Sequence, residues 1–268
     1  MPAMRGISVA IITYNEERNL ADCIRSCEAL ADEIVVLDSF STDRTEEVAR
    51  GFPGVRFERH AFDGHVEQKN RALSLCKNEW VLSLDADERL SPELLAEIRD
   101  LEPGERVGFR VPRLTFAMGR PIRHAGWYPQ RKYRLFRRSR ARWTGDNPHD
   151  YAVVDGPGGD LVHDLLHHSF RDLAHQATTV NAFSSIQAFN RRHRGQPFRL
   201  LPALWKPLVK FVEVYLVKRG FLDGFPGFTV AVNAAYERFL QLAKVYELER
   251  GLERPSNLRA DYRPQPRG

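Results

Sequence analysis

Short apolar runs alternate with amphipathic stretches over the first hundred residues of the chain. The apolar runs predict four strands, at residues 7–13, 33–37, 55–58 and 80–84. Apolar side chains at helical spacing predict helices between them, at residues 20–30, 45–50 and 66–75. A further helix begins at Pro92, with Ser91 as its N-cap. This βαβ alternation is typical of a largely parallel α/β sheet.

The pattern changes after Val107. Alternation with period two at Val107, Phe109 and Val111, and again at Tyr133 and Leu135, predicts antiparallel strands that complete the sheet. One more strand is expected at residues 160–169. Helical periodicity then returns at residues 173–192, 202–219 and 228–250, with residues 220–227 as a linker. We therefore expect an α/β domain over residues 1–170, a helical region over 171–250 and a flexible tail over 251–268.

Composition limits the class of protein. The chain has 268 residues, of which 43% are hydrophobic, so it can bury a core. No apolar run approaches the roughly 18 to 20 residues that span a bilayer, and the N-terminus lacks the features of a signal peptide, so we expect a cytoplasmic protein. Cys23, Cys27 and Cys76 have no metal-binding spacing and are expected in the core.

Polar side chains cluster where the predicted strands end. They fall in residues 13–17, 38–45 and 85–88, and the helix that begins near residue 66 adds Gln68, Lys69 and Asn70. Ligands of parallel α/β sheets bind at the carboxyl ends of the strands. Each segment alone has an ordinary explanation, such as a helix cap or an acidic surface loop. Their occurrence together predicts a ligand site at this edge of the sheet.

Asp85 and Asp87 follow the apolar strand at residues 80–84 and are separated by one residue, so they project to the same side of the chain. Two close carboxylates repel each other unless a cation lies between them. A divalent ion, Mg²⁺ or Mn²⁺, held by carboxylates and by substrate phosphate oxygens, would relieve that repulsion. The sequence therefore predicts a metal-assisted diphosphate site, with an acidic surface loop as the alternative.

These segments carry a resemblance to a known family. Residues 12–17 (Ile-Thr-Tyr-Asn-Glu-Glu), residues 35–45, residues 68–70 and residues 84–88 (Leu-Asp-Ala-Asp-Glu) resemble the family 2 glycosyltransferases with the GT-A fold. Residues 127–129, 134–138 and 220–224 are similar to the branch that contains the lipopolysaccharide core β-1,4-glucosyltransferases. The resemblance covers about residues 7–248 and is strongest in the first half.

The resemblance implies a GT-A (Rossmann-like) α/β fold, a mixed sheet flanked by helices with a C-terminal helical appendage. It also implies a metal-dependent, inverting enzyme that moves a hexose, with glucose as the first expectation, from a UDP-sugar donor to a lipopolysaccharide inner-core heptose. More broadly, the acceptor would be a glycolipid or an oligosaccharide. The sequence indicates no oligomeric state.

The same resemblance implies roles for individual residues. The uracil and ribose would be held by Thr13, Tyr14, Asn15, Glu16 and Asp38. Asp85 would lie by the ribose with Ala86 beside it, and Asp87 would bind the metal. Gln68, Lys69 and Asn70 would line the donor site.

An inverting transferase also needs a general base that takes the proton of the acceptor hydroxyl. The candidate is Asp150, in the run Asp-Asn-Pro-His-Asp at residues 146–150. The related branch usually has His-Glu where this chain has His149 and Asp150, so the side chain is one methylene shorter. Asp146 is the competing candidate, and an Asp that merely forms a turn is the remaining alternative.

Three histidines follow, at positions 163, 167 and 168. His163 and His167 are four apart, as in helical zinc sites. Hydrophobic alternation favours a strand, however, which would place these two on one face and Asp164 and His168 on the other. We therefore expect structural histidines, and the alternative is a role for His168 near the diphosphate or the metal, as at an analogous position of some GT-A enzymes.

The net charge of +5 is unevenly distributed. Eleven of the 40 basic residues and none of the 35 acidic residues lie between Arg110 and Arg142. Such a segment indicates an anionic partner, and a solvated strand face is the alternative. Within it, Arg134 and Arg137 are candidates for binding the donor diphosphate or an anionic acceptor, while Trp127 and Tyr128 could stack on a sugar ring.

No nucleic-acid-binding motif accompanies the basic segment, so we expect no nucleic acid as a partner. Two further transferase classes share the donor half, namely those acting on a polyprenyl phosphate and those acting on a peptide side chain. The predicted helix at residues 202–219 has an apolar face and four basic residues, Lys206, Lys210, Lys218 and Arg219. It suits peripheral binding to the anionic inner-membrane surface, and the alternative is packing on the transferase domain.

Overall fold

A computed structural model of the chain describes residues 6–146, 149–258 and 262, without the side chains of Asp146 and His149. The described residues form two compact units. Unit 1 contains the chain up to Leu114 together with Pro129–Ser169, and unit 2 contains Thr115–Tyr128 together with the chain from Phe170 onward.

The strands are β1 Ile7–Thr13, β2 Glu33–Asp38, β3 Val55–Arg59, β4 Trp80–Asp85, β5 Glu88–Leu90, β6 Gly108–Ala117, β7 Arg120–Pro121, β8 Gln130–Arg137, β9 Ala141–Asp146, β10 His149–Val154, β11 Gly158–Asp160 and β12 Leu165–His167. The α-helices are α1 Leu20–Cys27, α2 Thr45–Arg50, α3 His65–Leu75, α4 Pro92–Arg99, α5 Leu173–His193, α6 Leu200–Val212 and α7 Gly224–Glu249.

Unit 1 is built on a mixed sheet with the strand order β3-β2-β1-β4-β8-β6-β12-β5. The first four strands in this order are parallel, whereas β8 is antiparallel to both β4 and β6. A separate antiparallel pair joins β9 to β10. This architecture confirms the predicted α/β fold of the GT-A type, a mixed sheet flanked by helices, with further helices in the C-terminal part of the sequence.

The strand register brings the polar strand ends together. Thr13 pairs with Asp38 across β1 and β2, and Ile12 pairs with Asp85 across β1 and β4. The strands themselves are almost wholly buried, and α1 covers one face of the sheet with Leu20, Cys23, Ile24 and Cys27. The polar residues after β1, β2 and β4 therefore meet at one edge, as predicted, and the three cysteines are buried and unpaired.

Unit 2 packs α5, α6 and α7 around two apolar clusters. One contains Val214, Val230 and Ala231 together with residues that follow β6, and the other contains Ala188, Phe189 and Val245. Among the residues that the structure describes, no helix is both long enough and apolar enough to cross a membrane.

Three of the predicted elements differ from the structure in bounds or type. The strand expected at residues 160–169 shortens to β12, and the helix expected at 202–219 ends as a π-helical segment, Glu213–Val217. The linker expected at 220–227 is a 3₁₀ turn, Gly220–Asp223, followed directly by α7. In the tail expected at residues 251–268, Leu258 and Tyr262 are buried against Phe189 and its neighbours, and residues 259–261 and 263–268 lie outside the described residues.

Candidate active site

Two loops at the carboxyl edge of the sheet are tied together by hydrogen bonds. The backbone amide of Asn15 donates to Ser41 Oγ at 2.8 Å, and that of Thr42 donates to Asn15 Oδ1 at 2.8 Å. Asn15 has φ of 55°, in the left-handed region that Asn tolerates better than most residues. The carboxylate of Asp38 accepts from the amide and the hydroxyl of Ser41. The loops therefore form a fixed rim, on which Tyr14 is exposed.

Asp85 is neutralised by cations of the protein itself. Its Oδ1 lies 2.9 Å from Lys69 Nζ, and its Oδ2 accepts from Arg134 Nη2 at 2.8 Å. Arg134 also donates to Glu88 Oε1 at 2.5 Å. Burial raises the pKa of Asp85, but the two cations outweigh it and hold that pKa well below its usual range. Relief of its charge thus needs no metal, which corrects the premise of the sequence argument.

Asp87 has a different partner, the imidazole of His167. The distance from His167 Nε2 to Asp87 Oδ2 is 3.3 Å. Burial raises the pKa of Asp87, but the charge and hydrogen bond of His167, together with Arg113, leave it below its ordinary value, so the carboxyl is ionised at neutral pH. The backbone amide of the neighbouring His168 donates to Asp87 O at 2.9 Å. The structure therefore places the imidazole of His167 at Asp87, whereas the alternative weighed from the sequence gave a role near the metal to His168.

The Asp87 and His167 pair suits a divalent cation. A carboxylate oxygen and an imidazole nitrogen 3.3 Å apart can bind one ion together. The carboxylate suits both Mg²⁺ and Mn²⁺, while the imidazole favours Mn²⁺, the transition-metal ion of the two. Within the described ranges there is no group of three or more His, Cys, Asp or Glu residues placed to hold a metal. The pair therefore fits a partial ligand set that substrate oxygens and water would complete, which is common where a metal binds phosphates.

Lys69 joins the metal-binding edge to the candidate base. Its Nζ lies 2.7 Å from Asp150 Oδ2, 2.9 Å from Asp85 Oδ1 and 4.4 Å from the centre of the Trp143 ring. The side chain is only 5% exposed, so these contacts are shielded from water. Burial raises the pKa of Asp150, but Lys69 outweighs it and the pKa lies below its ordinary value. Asp150 is thus ionised and able to accept a proton, although it is a weak base while Lys69 holds it.

The neighbours of Lys69 on α3 have supporting contacts. Asn70 exchanges two hydrogen bonds of 2.9 Å with the backbone of Trp143, so its amide fixes β9 rather than facing a ligand. Gln68 donates to Ser39 Oγ at 3.0 Å, while its Oε1 is buried and lacks a partner within the described residues, as does the hydroxyl of Thr13. A buried polar atom of this kind is one that a ligand can satisfy.

The remaining site residues predicted from the sequence have different locations. Arg137 pairs with Trp80 at the amino end of β4 and stacks over its ring at 5.1 Å, so it does not join the site at the carboxyl end. The structure assigns Trp127 and Tyr128 to unit 2, where Trp127 packs against Phe170. Ala86 is buried beside Asp85 and Asp87. The side chain of Asp146 lies outside the described residues.

Three residues that contribute to the site were not among the site residues predicted from the sequence. Glu88 is fully buried against Arg134, and its Oε2 accepts from the Asp85 amide at 3.0 Å. It belongs to the acidic run at residues 85–88, but it was not named as a site residue. His167 was assigned a structural role because hydrophobic alternation favoured a strand over a helical zinc site. Trp143 had no local signal, since its part in the site comes from Lys69 and Arg134 lying over its ring.

Comparison with known proteins gives a consistent assignment. The sequence pattern described as "Glycosyl transferase family 2" matches residues 8–154. The lipopolysaccharide core biosynthesis glycosyltransferase LpsC of Rhizobium meliloti is 32% identical over 266 residues, covering 93% of this chain and 95% of that protein. The uncharacterized glycosyltransferase RT0209 of Rickettsia typhi is 31% identical over 263 residues, covering 91% and 88%.

Among solved structures, glucosyl-3-phosphoglycerate synthase from Mycobacterium tuberculosis, in complex with Mn²⁺, UDP and phosphoglyceric acid, is 27% identical. The match covers 42% of this chain and 44% of that chain, with a TM-score of 0.34.

Proposed function

The chain belongs to glycosyl transferase family 2, and from that membership we propose that it is a metal-dependent inverting enzyme that transfers a hexose from a UDP-sugar to a lipopolysaccharide inner-core heptose. Glucose is the hexose we expect first. The similarity to LpsC over nearly the whole of both chains supports a core-oligosaccharide acceptor.

One arrangement carries this proposal: Lys69 joins Asp85, at the end of β4, to Asp150 on β10, beside the Asp87 and His167 pair. It supplies a metal-binding pair and an ionised carboxylate in one connected group. Both are needed by a transferase that must release a diphosphate and deprotonate a hydroxyl.

On the donor side, Asp87 and His167 would hold Mg²⁺ or Mn²⁺. The bound cation would neutralise the diphosphate and stabilise it as a leaving group. Asp38 and the loop of Thr13 to Glu16 would bind the uracil and ribose, with Asp85 and Ala86 beside the ribose. Because Asp85 is fixed by Lys69 and Arg134, its oxygens are oriented before the donor arrives.

On the acceptor side, Asp150 is the general base. It takes the proton of the acceptor hydroxyl as the hydroxyl oxygen bonds to the anomeric carbon and the bond from that carbon to the diphosphate breaks. Attack from the face opposite the diphosphate inverts the anomeric configuration. Lys69 keeps Asp150 ionised beforehand, and its 2.7 Å contact must lengthen for Asp150 to become basic enough to accept the proton.

The apolar surface of unit 2 supports a lipid-linked acceptor. Phe211 and Tyr215 pack against Phe228, so part of the predicted apolar face is covered within the unit. The rest of the surface of α6 and the π-helical segment exposes a stripe of large apolar side chains, here named the α6 stripe: Leu201, Leu204, Leu208, Val209, Val212, Leu216 and Val217. Five basic residues and one acidic residue lie between positions 199 and 219.

An apolar stripe flanked by basic residues matches an anionic lipid surface, where the apolar side chains enter the headgroup boundary and the cations meet lipid phosphates. We therefore propose peripheral binding of a cytoplasmic enzyme to the inner membrane. The stripe favours a lipid-linked acceptor over a peptide, and it is equally compatible with the alternative acceptor, a polyprenyl phosphate.

A thermal-shift experiment tests the donor part of this proposal. UDP, GDP and ADP are each added with Mn²⁺ or with EDTA to the wild type, to Asp87→Ala and to Glu105→Ala, an exposed acidic residue outside the site. We expect stabilisation by UDP that needs Mn²⁺, that Glu105→Ala retains and that Asp87→Ala loses. An equal UDP shift in EDTA would remove the metal from the mechanism.

The acceptor part is tested by radiolabelled transfer from UDP-glucose to lipopolysaccharide truncated to its inner core, with polyprenyl phosphate and a peptide mixture as competing acceptors. Label is expected in the truncated lipopolysaccharide. Transfer to polyprenyl phosphate alone would establish the alternative.

A further inference from the structure

A cavity of about 370 Å³ opens in unit 1 beside the candidate base. It lies between residues 131–133 of β8 and residues 151–154 of β10, with Arg110 of β6 at its side. Tyr151 follows Asp150 directly in β10. A group bound in this cavity would therefore lie near the acceptor hydroxyl that Asp150 deprotonates.

The cations around the cavity differ in how they are paired. Arg110 forms an ion pair with Asp160 at 2.7 Å, and Arg131 donates to the carbonyl oxygen of Leu161 at 2.6 Å. Lys132, by contrast, has no hydrogen bond or ion pair with any residue that the structure describes. It is the cation of the cavity whose charge is left to a ligand.

The charged groups that act on Lys132 give the same result. Arg113, Arg134, Lys69 and Asp150 all lie close enough to shift its pKa. The described carboxylates of this group are all paired with other residues: Glu88 with Arg113 and Arg134, Asp85 with Arg134 and Lys69, Asp150 with Lys69, and Asp87 with His167. Lys132 is therefore the cation of this group that has no carboxylate partner among the described residues.

Lys132 is also held in an unfavourable state. Burial, followed by the charges of Arg113 and Arg134, lowers its pKa to about 8, while Asp150 acts in the opposite direction and Lys69 adds to the lowering. A half-buried ammonium among cations is stabilised when an anion binds next to it. Phosphate and carboxylate are the biological groups that meet this need.

We propose that this cavity binds an anionic group of the acceptor, a phosphate or a carboxylate, through Lys132. The inference rests on the proposed glycosyltransferase function and narrows its acceptor to a glycan that carries a negative charge close to the hydroxyl that receives the sugar. Lys132 is a specificity residue for the acceptor, distinct from the diphosphate-binding residues Asp87 and His167.

Two variants test this inference. Lys132→Met removes the charge at similar length, and Lys132→Arg keeps it. We expect Lys132→Met to raise the KM for the truncated lipopolysaccharide about tenfold or more, because a charge-assisted hydrogen bond is lost, whereas Lys132→Arg recovers most of the affinity. The Mn²⁺-dependent thermal shift with UDP should be the same in both variants. Loss of that shift in Lys132→Met would overturn the proposal, because Lys132 would then serve the donor.

Treatment of the acceptor separates the two anions. If phosphate is the bound group, phosphatase-treated acceptor reproduces the high KM in the wild type and makes Lys132→Met no worse; carboxyl-reduced acceptor does so if the group is a carboxylate. An unchanged wild-type KM with both treated acceptors would overturn the proposal.

Inorganic phosphate provides a readout that is independent of transfer. Without donor or acceptor, at constant ionic strength, it should stabilise the wild type and Lys132→Arg but not Lys132→Met. A shift of equal size in all three proteins would overturn the inference, while absence of transfer to any acceptor would instead refute the proposed function.

Discussion

The two units place charge and apolar surface in opposite ways. Unit 1 buries ionised side chains, since Lys69 is 5% exposed, Arg134 is 2% exposed and Glu88 is fully buried. Unit 2 exposes apolar ones, since Leu201 is 73% exposed and Leu208 is 69% exposed. Buried charges destabilise a fold unless every charge is paired, and exposed apolar stripes gain nothing until a partner covers them.

The difference indicates what kind of ligand each unit is suited to bind. In unit 1 the paired charges are already oriented, so a substrate meets a rigid polar site with little reorganisation. In unit 2 the α6 stripe gains hydrophobic free energy only when an external surface covers it. Under the proposed function, unit 1 would carry the chemistry and unit 2 would carry the attachment to lipid.

The largest expected effect is on catalysis in unit 1. Asp150→Asn keeps the volume of the side chain but cannot accept a proton, so kcat should fall by roughly 10² to 10⁴ while the UDP thermal shift stays near normal. Steady-state kinetics of Asp150→Asn and Asp146→Asn, measured in parallel, show which of the two residues is the general base. Full activity of Asp150→Asn together with an inactive Asp146→Asn would transfer the role of base to Asp146.

The next effect is on the stability of unit 1. Lys69→Met leaves Asp150 buried without its cation and should lower the free energy of unfolding by about 3 kcal/mol. Lys77→Met serves as the control, because Lys77 is 76% exposed and lies 3.9 Å from Glu33. Its effect should stay within about 0.5 kcal/mol in urea denaturation. An equal decrease in the free energy of unfolding in both variants would mean that the buried charge cluster does not stabilise the fold more than an exposed ion pair does.

The loss in Lys69→Met should depend on pH. The folded-state pKa values of Asp85 and Asp150 are lowered, so the stability they contribute is fully present above the unfolded value of about 3.9 and disappears as pH falls through the folded values. The difference between wild type and Lys69→Met should therefore be constant from about pH 6 to 8 and shrink below about pH 4. A difference that grows on acidification would contradict this.

The sequence predicted unit 1 better than unit 2 for a physical reason. Strands buried on both faces read as apolar runs, and β1 and α2 were predicted with the bounds that the structure has. In unit 2, residues 220–227 were interpreted as a linker because of their glycines. A Cβ on Gly227 would lie 1.9 Å from the carbonyl oxygen of Gly220, so this glycine serves close packing. Glycine for packing and glycine for flexibility look alike in a sequence.

The site shows the same limit. Strand ends located Asp85 and Asp87, because that rule is local. The contact of Lys69 with Asp150 joins residues 81 positions apart and has no local signature. The alternation of the histidines could not indicate that His167 contacts Asp87, because β12 is only three residues long.

A smaller effect tests the α6 stripe. Leu201→Glu with Leu208→Glu should reduce binding to anionic vesicles at least tenfold, because two apolar side chains leave the interface and two negative charges meet anionic lipid. Leu252→Glu, exposed but outside α6, is the matched control and should bind normally. Vesicle sedimentation at low and high salt measures both. If the wild type stays in the supernatant and instead forms dimers that the double variant lacks, the stripe is a contact between copies of this chain.

The smallest effect contrasts single positions in the two units. Ser91 caps α4 by accepting from the Leu94 amide at 3.1 Å, so Ser91→Ala should lower the free energy of unfolding by about 1 kcal/mol. Leu201→Glu, on the α6 stripe, should change it by less than about 0.5 kcal/mol. Thermal unfolding of both variants checks the order, and a larger loss in Leu201→Glu would show that the stripe is covered within the protein.

The central claim is that unit 1 transfers a sugar with inversion. Proton NMR of the reaction between UDP-glucose, an α-linked donor, and truncated lipopolysaccharide oligosaccharide with Mn²⁺ follows the anomeric signals directly. We expect release of UDP and the appearance of a β-linked glucosyl residue, both absent with Asp87→Ala. An α-linked product would contradict the inverting mechanism, and release of free glucose without any glycosidic product would contradict the assignment of the acceptor.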